Sequence, residues 1–279
     1  MNNKLTEIDI SPLAHIHHAA KIGKNTYIGA FTFIDKDVVI GDNCWIAPNV
    51  TIFAGTRIGN NCRIFPNAVI AAIPQDLKFA GEYTTVEVGD FTTIREGVTI
   101  NRATSYAWKT VVGSHCLLMA YAHIAHDCIL GNHIILANGV NLAGHVTIDD
   151  YAILEGIVAV QQFVHIGKHS FVAGGSLVRK DVPPYVKAAR EPLSYIGINK
   201  IGLERRGFDM KTIQTIHNIY RQLFVKKGSW KVAVDKVVHE FAGYDVQKEI
   251  LDFISHSQKG IIKGFQSAKT LKNGVRLEK

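Results

Sequence analysis

Nothing in this chain of 279 residues reads as membrane-spanning or secreted. No stretch reaches the roughly 18 consecutive apolar residues that a spanning helix needs, and the opening Met-Asn-Asn-Lys-Leu-Thr-Glu has no apolar core of the kind a signal peptide carries. A cytoplasmic protein without an integral membrane segment is expected. Cysteine is sparse, and no two of Cys44, Cys62, Cys116 and Cys128 make a Cys-x-x-Cys motif. They are expected to pack as small hydrophobes, not as disulfides, metal ligands or nucleophiles. Lysine and arginine form no cluster interleaved with aromatics, so nucleic acid is not an expected partner. The net charge of +7 nevertheless admits an acidic one, such as a diphosphate or an acidic carrier protein.

What the chain does have is a repeat. Every sixth residue from Ile10 to Ile70 is isoleucine, and the same phase continues through Val88, Ile94 and Ile100 and then from Val112 to Val178. Only Asp76, Glu82 and Tyr106 break the series. Four residues after each aliphatic position stands something small or β-branched, as at Ala20, Thr26, Thr32, Val38, Cys44, Val50, Thr56, Cys62 and Ala68. A six-residue period predicts a parallel β-helix, in which three hexads make one triangular coil of about 18 residues with the aliphatic column inside. The coils, nine to ten of them, end at Pro183-Pro184, because consecutive prolines cannot continue the ladder. External loops are expected at about 71–87 and 101–111, where the aliphatic column lapses. Beyond about residue 190 the period becomes helical, in Ile213, Ile216, Ile219, Tyr220, Leu223 and Phe224 and again in Val234, Val237, Val238 and Phe241. The expected organisation is an all-β solenoid over 1–190 followed by an α-helical domain over 191–279.

Histidine is abundant, at 13 residues. Residues one coil apart stand about 4.8 Å above one another, which stacks His126, Gly144 and Gln162 and sets His145 beside them. With Ile124 and the small Cys128 turned inward, His126 is expected to point outward, and beside Asp127 it has the makings of a general base. Gly144 leaves its backbone N–H approachable, as an oxyanion donor must be. Outward histidines on a solenoid can equally be surface or subunit-contact residues, and spacing alone does not choose.

Several segments resemble one known family along essentially the whole chain: Ile-Pro-Gln75-Asp76-Leu-Lys78-Phe-Ala-Gly-Glu, Ala-His123-Ile-Ala-His126-Asp127-Cys, Leu-Ala-Gly144-His145-Val, Gln162-Phe and Arg205-Arg206-Gly-Phe. They are similar to the acyl-[acyl-carrier-protein]--UDP-N-acetylglucosamine O-acyltransferases. The resemblance implies a left-handed β-helix with a C-terminal helical domain, assembled as a homotrimer with active sites in clefts between subunits. It implies transfer of an (R)-3-hydroxyacyl chain from acyl carrier protein to the sugar 3-hydroxyl of UDP-N-acetylglucosamine, opening lipid A synthesis, with no cofactor and no metal. On this match His126 is the base, Asp127 orients it and the Gly144 N–H is the oxyanion donor. Gln75, Asp76 and Lys78 bind substrate from the first break, His123, His145 and Gln162 surround the sugar and pantetheine with Gln161 also in the substrate-binding set, Asn199, Arg205 and Arg206 lie towards the UDP phosphates, and Gly174 measures acyl length.

The chain departs from the family pattern at Gln161 and Asn101, where many members have histidine, and at Ile201, where an acidic residue is expected. These departures bear on the sugar-nucleotide subsite and leave open a UDP-amino sugar acceptor and N-acylation. A related N-acyltransferase usually carries a further N-terminal uridine-binding domain, whereas this chain enters its repeat by Ile10. A trimeric metalloenzyme with zinc on His123, His126 and His145 is the remaining alternative, although it gives no role to Gln75, Asp76, Lys78, Arg205 or Arg206.

Overall fold

A computed structural model describes residues 9–226 and 229–264; the basic tail after Gly264 lies outside the described residues. Short strands, mostly of two residues, stack into three sheets of 12, 9 and 8 strands. We call the three faces A, B and C; they begin with Asp9–Ile10, His15–Ile16 and Lys21–Ile22. Every strand pair within the coils is parallel, and the whole is a left-handed parallel β-helix. The isoleucine column lines its axis: Ile28, Ile34, Ile46, Ile52, Ile64 and Ile70 are fully buried, each contributing about 2 kcal/mol of apolar burial. The four cysteines are free and buried in the small-residue column, as expected.

The two breaks keep the six-residue phase because each inserts whole hexads. Ile46 pairs with Ile64, but Ile64 pairs with Ile94 and Ile94 with Leu118, so the first break adds two hexads and the second one. Corners require a residue in the left-handed region. Asn25, Asn43, Asn49, Asn61 and Asn67 supply it at low cost.

At the edge between faces C and A the asparagine corners give way to stacked rings. Phe91, His115, His133, Tyr151, His169 and Tyr185 form one ladder with centroids 4.5 to 5.7 Å apart. Burial, with help from the nearby Arg206 and Lys168 charges, lowers the His169 imidazole to about 4, so it packs as a neutral aromatic.

The C-terminal part is zipped onto the last coil. Face A continues past position 190 through Ser194–Ile198, antiparallel to Val186–Ala189, and then Lys263–Gly264. Helix α2 (Met210–Tyr220) packs against this extension, α1 (Lys200–Arg205) and α4 (Asp245–His256) pack on α2, and α3 (Trp230–Glu240) packs on α4 and on the π-helical turn Arg221–Val225. Asp209 caps α2 by accepting the Thr212 N–H at 2.8 Å, and Ser229 caps α3 through the Val232 N–H. Glu249 of α4 reaches back to the β-helix, pairing with Lys168 at 2.6 Å and accepting the Tyr185 hydroxyl.

Candidate active site

Both loops leave the prism at the same edge. The first joins Val69–Ala72 on face B to Thr85–Val88 on face C, and the second joins Thr99–Asn101 on face B to Lys109–Val112 on face C. His126 and Asp127 turn the same corner, between His123–Ile124 and Ile129–Leu130. Gly144 and His145 occupy it one coil further on, and Gln162 the coil after that. Backbone hydrogen bonds tie the stack, from the His145 N–H to the His126 carbonyl at 3.0 Å and from the Phe163 N–H to the Gly144 carbonyl at 3.2 Å. The stack expected from coil spacing is therefore present, and the loop carrying Gln75, Asp76 and Lys78 leaves from its edge.

Asp127 is the anchor. Its carboxylate is fully buried and meets four donors: the Thr104 and Ala107 N–H groups on Oδ1, each at 3.1 Å, the Thr104 hydroxyl on Oδ2 at 2.8 Å, and His126 Nδ1 on Oδ2 at 2.7 Å. With both carboxylate oxygens taken up as acceptors by these donors, His126 carries its proton on Nδ1, towards Oδ2, and leaves the Nε2 lone pair free. His126 keeps 12% of its side chain exposed, partly open to solvent as expected.

Gly144 makes room for that ring. A Cβ built on it would stand 2.6 Å from His126 Cε1 and 2.7 Å from Nε2, closer than atoms in contact approach. Among the described residues no group accepts the Gly144 N–H. Some of the matching N–H groups elsewhere on the helix are capped by side chains, as Asp42 caps Lys24, Asn60 caps Asp42 and Asp150 caps Asn132, whereas those of His126 and Gln162, like that of Gly144, have no acceptor among the described residues.

The flanking histidines are held neutral. His123 is lowered by burial and by the His126 charge, and its Nδ1 lies 2.7 Å from the Thr99 hydroxyl. His145 is likewise lowered by burial, against the opposing pull of Asp127 and Asp76. Its ring stacks on Phe163 at 4.3 Å and meets the edge of Tyr106 at 4.5 Å. Asp76 thus acts on His145 from the first loop, where its carboxylate also accepts the Lys78 N–H at 2.9 Å. Gln75, Lys78, Gln161 and Gln162 are exposed at the rim.

The remaining expected site residues lie elsewhere. Asn199 is buried as the N-cap of α1, accepting the Gly202 N–H at 3.3 Å and donating to the His169 carbonyl at 2.9 Å. Arg206 donates to the Gly202 and Tyr151 carbonyls, both at 3.1 Å, with its guanidinium over the Tyr151 ring. The polar groups of these two residues are committed to docking α1, while Arg205 is exposed. Gly174 sits at the other edge of face B, between Phe171–Val172 on face A and Leu177–Val178 on face B.

The ligand atoms of His126, Asp127 and His145 lie within 4.8 Å of one another. Two donors on one zinc ion stand roughly 3.3 Å apart, so the 2.7 Å between His126 Nδ1 and Asp127 Oδ2 fits a shared proton better than a shared metal. The set of His123, His126 and His145 does not meet as one cluster.

Thr104 and Ala107 were not singled out by sequence, because what they do requires the second loop to fold back over Asp127. The aromatic ladder was also missed, although the recurrence of His115, His133, Tyr151 and His169 at one coil's spacing was a usable signal.

The chain is similar to known proteins along most of its length. The family profile described as "Udp N-acetylglucosamine O-acyltransferase; Domain 2" matches residues 181–262, and that of the bacterial transferase hexapeptide matches 109–144. A further profile, the GMPPB C-terminal domain, matches 6–118. An acyl-[acyl-carrier-protein]--UDP-N-acetylglucosamine O-acyltransferase of Stenotrophomonas maltophilia is 41% identical over 91% of this chain and 97% of its own. The UDP-N-acetylglucosamine acyltransferase structure from Bacteroides fragilis superposes with TM-score 0.89 at 49% identity, over 91% of this chain and 99% of that one. The Francisella novicida enzyme does so with TM-score 0.89 at 39% identity, over 97% and 99%. At 41% identity over 91% of its length, and superposing on a solved relative with TM-score 0.89, the chain belongs to the acyl-[acyl-carrier-protein]--UDP-N-acetylglucosamine O-acyltransferase family.

Proposed function

We propose that this protein transfers an (R)-3-hydroxyacyl chain from acyl carrier protein to the 3-hydroxyl of UDP-N-acetylglucosamine, the opening step of lipid A biosynthesis, with His126 as general base. The observation that carries the mechanism is the His126–Asp127 pair at 2.7 Å, with Nε2 free beside Gly144. In the step, the sugar 3-hydroxyl gives its proton to His126 Nε2 while its oxygen attacks the thioester carbonyl. Negative charge gathers on that carbonyl oxygen, and the Gly144 N–H is the donor available to it. Collapse expels the pantetheine sulfur, which takes the proton back from His126, so no acyl-enzyme forms. Asp127 keeps the imidazolium paired throughout.

The rim residues Gln75, Asp76, Lys78, His123, His145, Gln161 and Gln162 hold the sugar and pantetheine, and Arg205 reaches towards the diphosphate. Asn199 and Arg206 support that subsite by fixing α1, which presents Arg205. The β-helix to about residue 190 carries the chemistry, and the helical part beyond it takes the carrier protein. The net charge of +7 suits both acidic substrates.

Exposed apolar side chains flank both edges of face B: Ile73, Leu77 and Tyr106 on one side, and Phe31, Tyr121 and Ile157 on the other. A homotrimer would cover them and complete each site from two subunits. Sedimentation equilibrium is expected to give three times the chain mass of 30.8 kDa; a monomer at assay concentration contradicts the trimer.

An acyl chain leaving His126 crosses the outward side of face B, past Asn141 and Ala159, towards the edge that holds Gly156 and Gly174. Gly174 has no side chain to stop it, which selects a long donor. A Cβ there would stand 3.1 Å from the Gly156 carbonyl oxygen, a contact that a small backbone shift relieves. Gly174→Met is expected to move the preferred donor to a shorter acyl chain when carrier proteins of graded length compete. An unchanged preference removes Gly174 as the ruler.

A further inference from the structure

The second loop owes its place to more than the repeat. Its inserted hexad folds so that the Trp108 N–H returns to the Thr104 carbonyl at 2.9 Å, and the Thr84 hydroxyl donates to the Ala103 carbonyl at 2.6 Å. The first loop braces it, with Glu82 accepting the Ser105 N–H at 3.0 Å. The result brings one threonine, only 8% exposed, against the buried face of Asp127. We propose that Thr104 is a positioning residue for the acyl-transfer reaction, setting the tautomer and basicity of His126 by gripping the Asp127 carboxylate.

Proton accounting supports this. The Thr104 hydroxyl oxygen accepts the Tyr106 N–H at 3.2 Å, which leaves its own hydrogen for Asp127 Oδ2, 2.8 Å away. The Thr104 N–H fixes Oδ1 at 3.1 Å, so a single residue holds both carboxylate oxygens and the plane of the carboxylate cannot roll. Roll has a competitor to fall to: His145 Nδ1, buried and without a hydrogen-bond partner, stands 3.9 Å from the same Oδ2 that His126 holds at 2.7 Å. Thr104 keeps Oδ2 aimed at His126, and so keeps the proton on Nδ1 and the lone pair on Nε2. Removing its hydroxyl takes one donor from the carboxylate, which raises the charge density felt by the imidazole and favours the imidazolium.

The inference rests on His126 acting as base, and its test separates the two. Thr104→Val keeps shape but loses the hydroxyl, and Thr104→Ser keeps the hydroxyl. Steady-state kinetics over pH with UDP-N-acetylglucosamine and a 3-hydroxyacyl carrier protein are expected to show kcat lowered about tenfold in Thr104→Val, the factor expected from losing one hydrogen bond to a charged group. The KM for the sugar nucleotide should change by less than about twofold, since Thr104 touches no substrate. The acid limb of kcat/KM should move up by about half a pH unit, and Thr104→Ser should restore all three. A merely structural role would lower the amount of folded enzyme and leave the pH profile in place. A wild-type profile in Thr104→Val beside an inactive His126→Ala overturns the Thr104 assignment alone; full activity in His126→Ala overturns the base and Thr104 with it. Equal impairment of the serine and valine variants shows that the methyl group matters and not the hydroxyl, and also overturns the assignment.

Discussion

Gly144→Ala is expected to lower kcat about 100-fold, the scale of a one-ångström misplacement of a catalytic group, with little change in thermal stability. The reason is local. An alanine Cβ at this corner would lie 2.6 Å from His126 Cε1 and 2.7 Å from Nε2. Either the ring moves, breaking its 2.7 Å bond to Asp127, or the coil spreads against the backbone bonds that bind His145 to His126 and Phe163 to Gly144. The ring is the softer element, so activity is lost before the fold is. Circular dichroism and melting check the fold, and steady-state kinetics check the loss. Adding Gly144→Ala to a His126→Ala background should then cost almost nothing, because no ring remains to displace. A full second loss in the double variant would contradict the clash and leave Gly144 acting independently of His126.

His126→Ala is expected to lower kcat by about 1,000-fold, within the range a positioned general base supplies. The hydroxyl of a sugar is a poor nucleophile while protonated, and at neutral pH almost nothing else in the site can take its proton. His123 and His145 are neutral too, but His123 is turned to Thr99 and His145 is packed between Phe163 and Tyr106. The variant should fold, since Asp127 retains Thr104 and Ala107 as donors. Its residual rate should climb with pH as hydroxide replaces the missing base, whereas the wild type should level off once His126 is deprotonated.

The β-helix was legible from sequence because its interior repeats: one buried aliphatic every six residues leaves a mark that survives two insertions, each of whole hexads. The meeting of His126, Gly144 and Gln162 was legible for the same reason, since coil height fixes which residues stack. Thr104 was not, because its contact with Asp127 depends on the conformation of a loop with no repeat. Asn199 and Arg206 show the opposite limit. They sit in a segment that reads as nucleotide-binding by resemblance, yet their polar groups are spent on α1 and on the carbonyls of His169, Gly202 and Tyr151. Motif matching finds the neighbourhood; only geometry separates a residue facing substrate from one holding the scaffold. Asn101 makes the same point, because its amide donates to the Ala72 and Ile73 carbonyls and anchors the start of the first loop.

The most direct test is product formation, followed by mass spectrometry, with wild type and His126→Ala side by side on UDP-N-acetylglucosamine and graded (R)-3-hydroxyacyl carrier proteins. The wild type is expected to give a singly O-acylated UDP-sugar, fastest with a long donor, and the variant to lose about 1,000-fold in rate. Equal rates from the two proteins, or product only with a 3-amino UDP-sugar, would contradict this expectation.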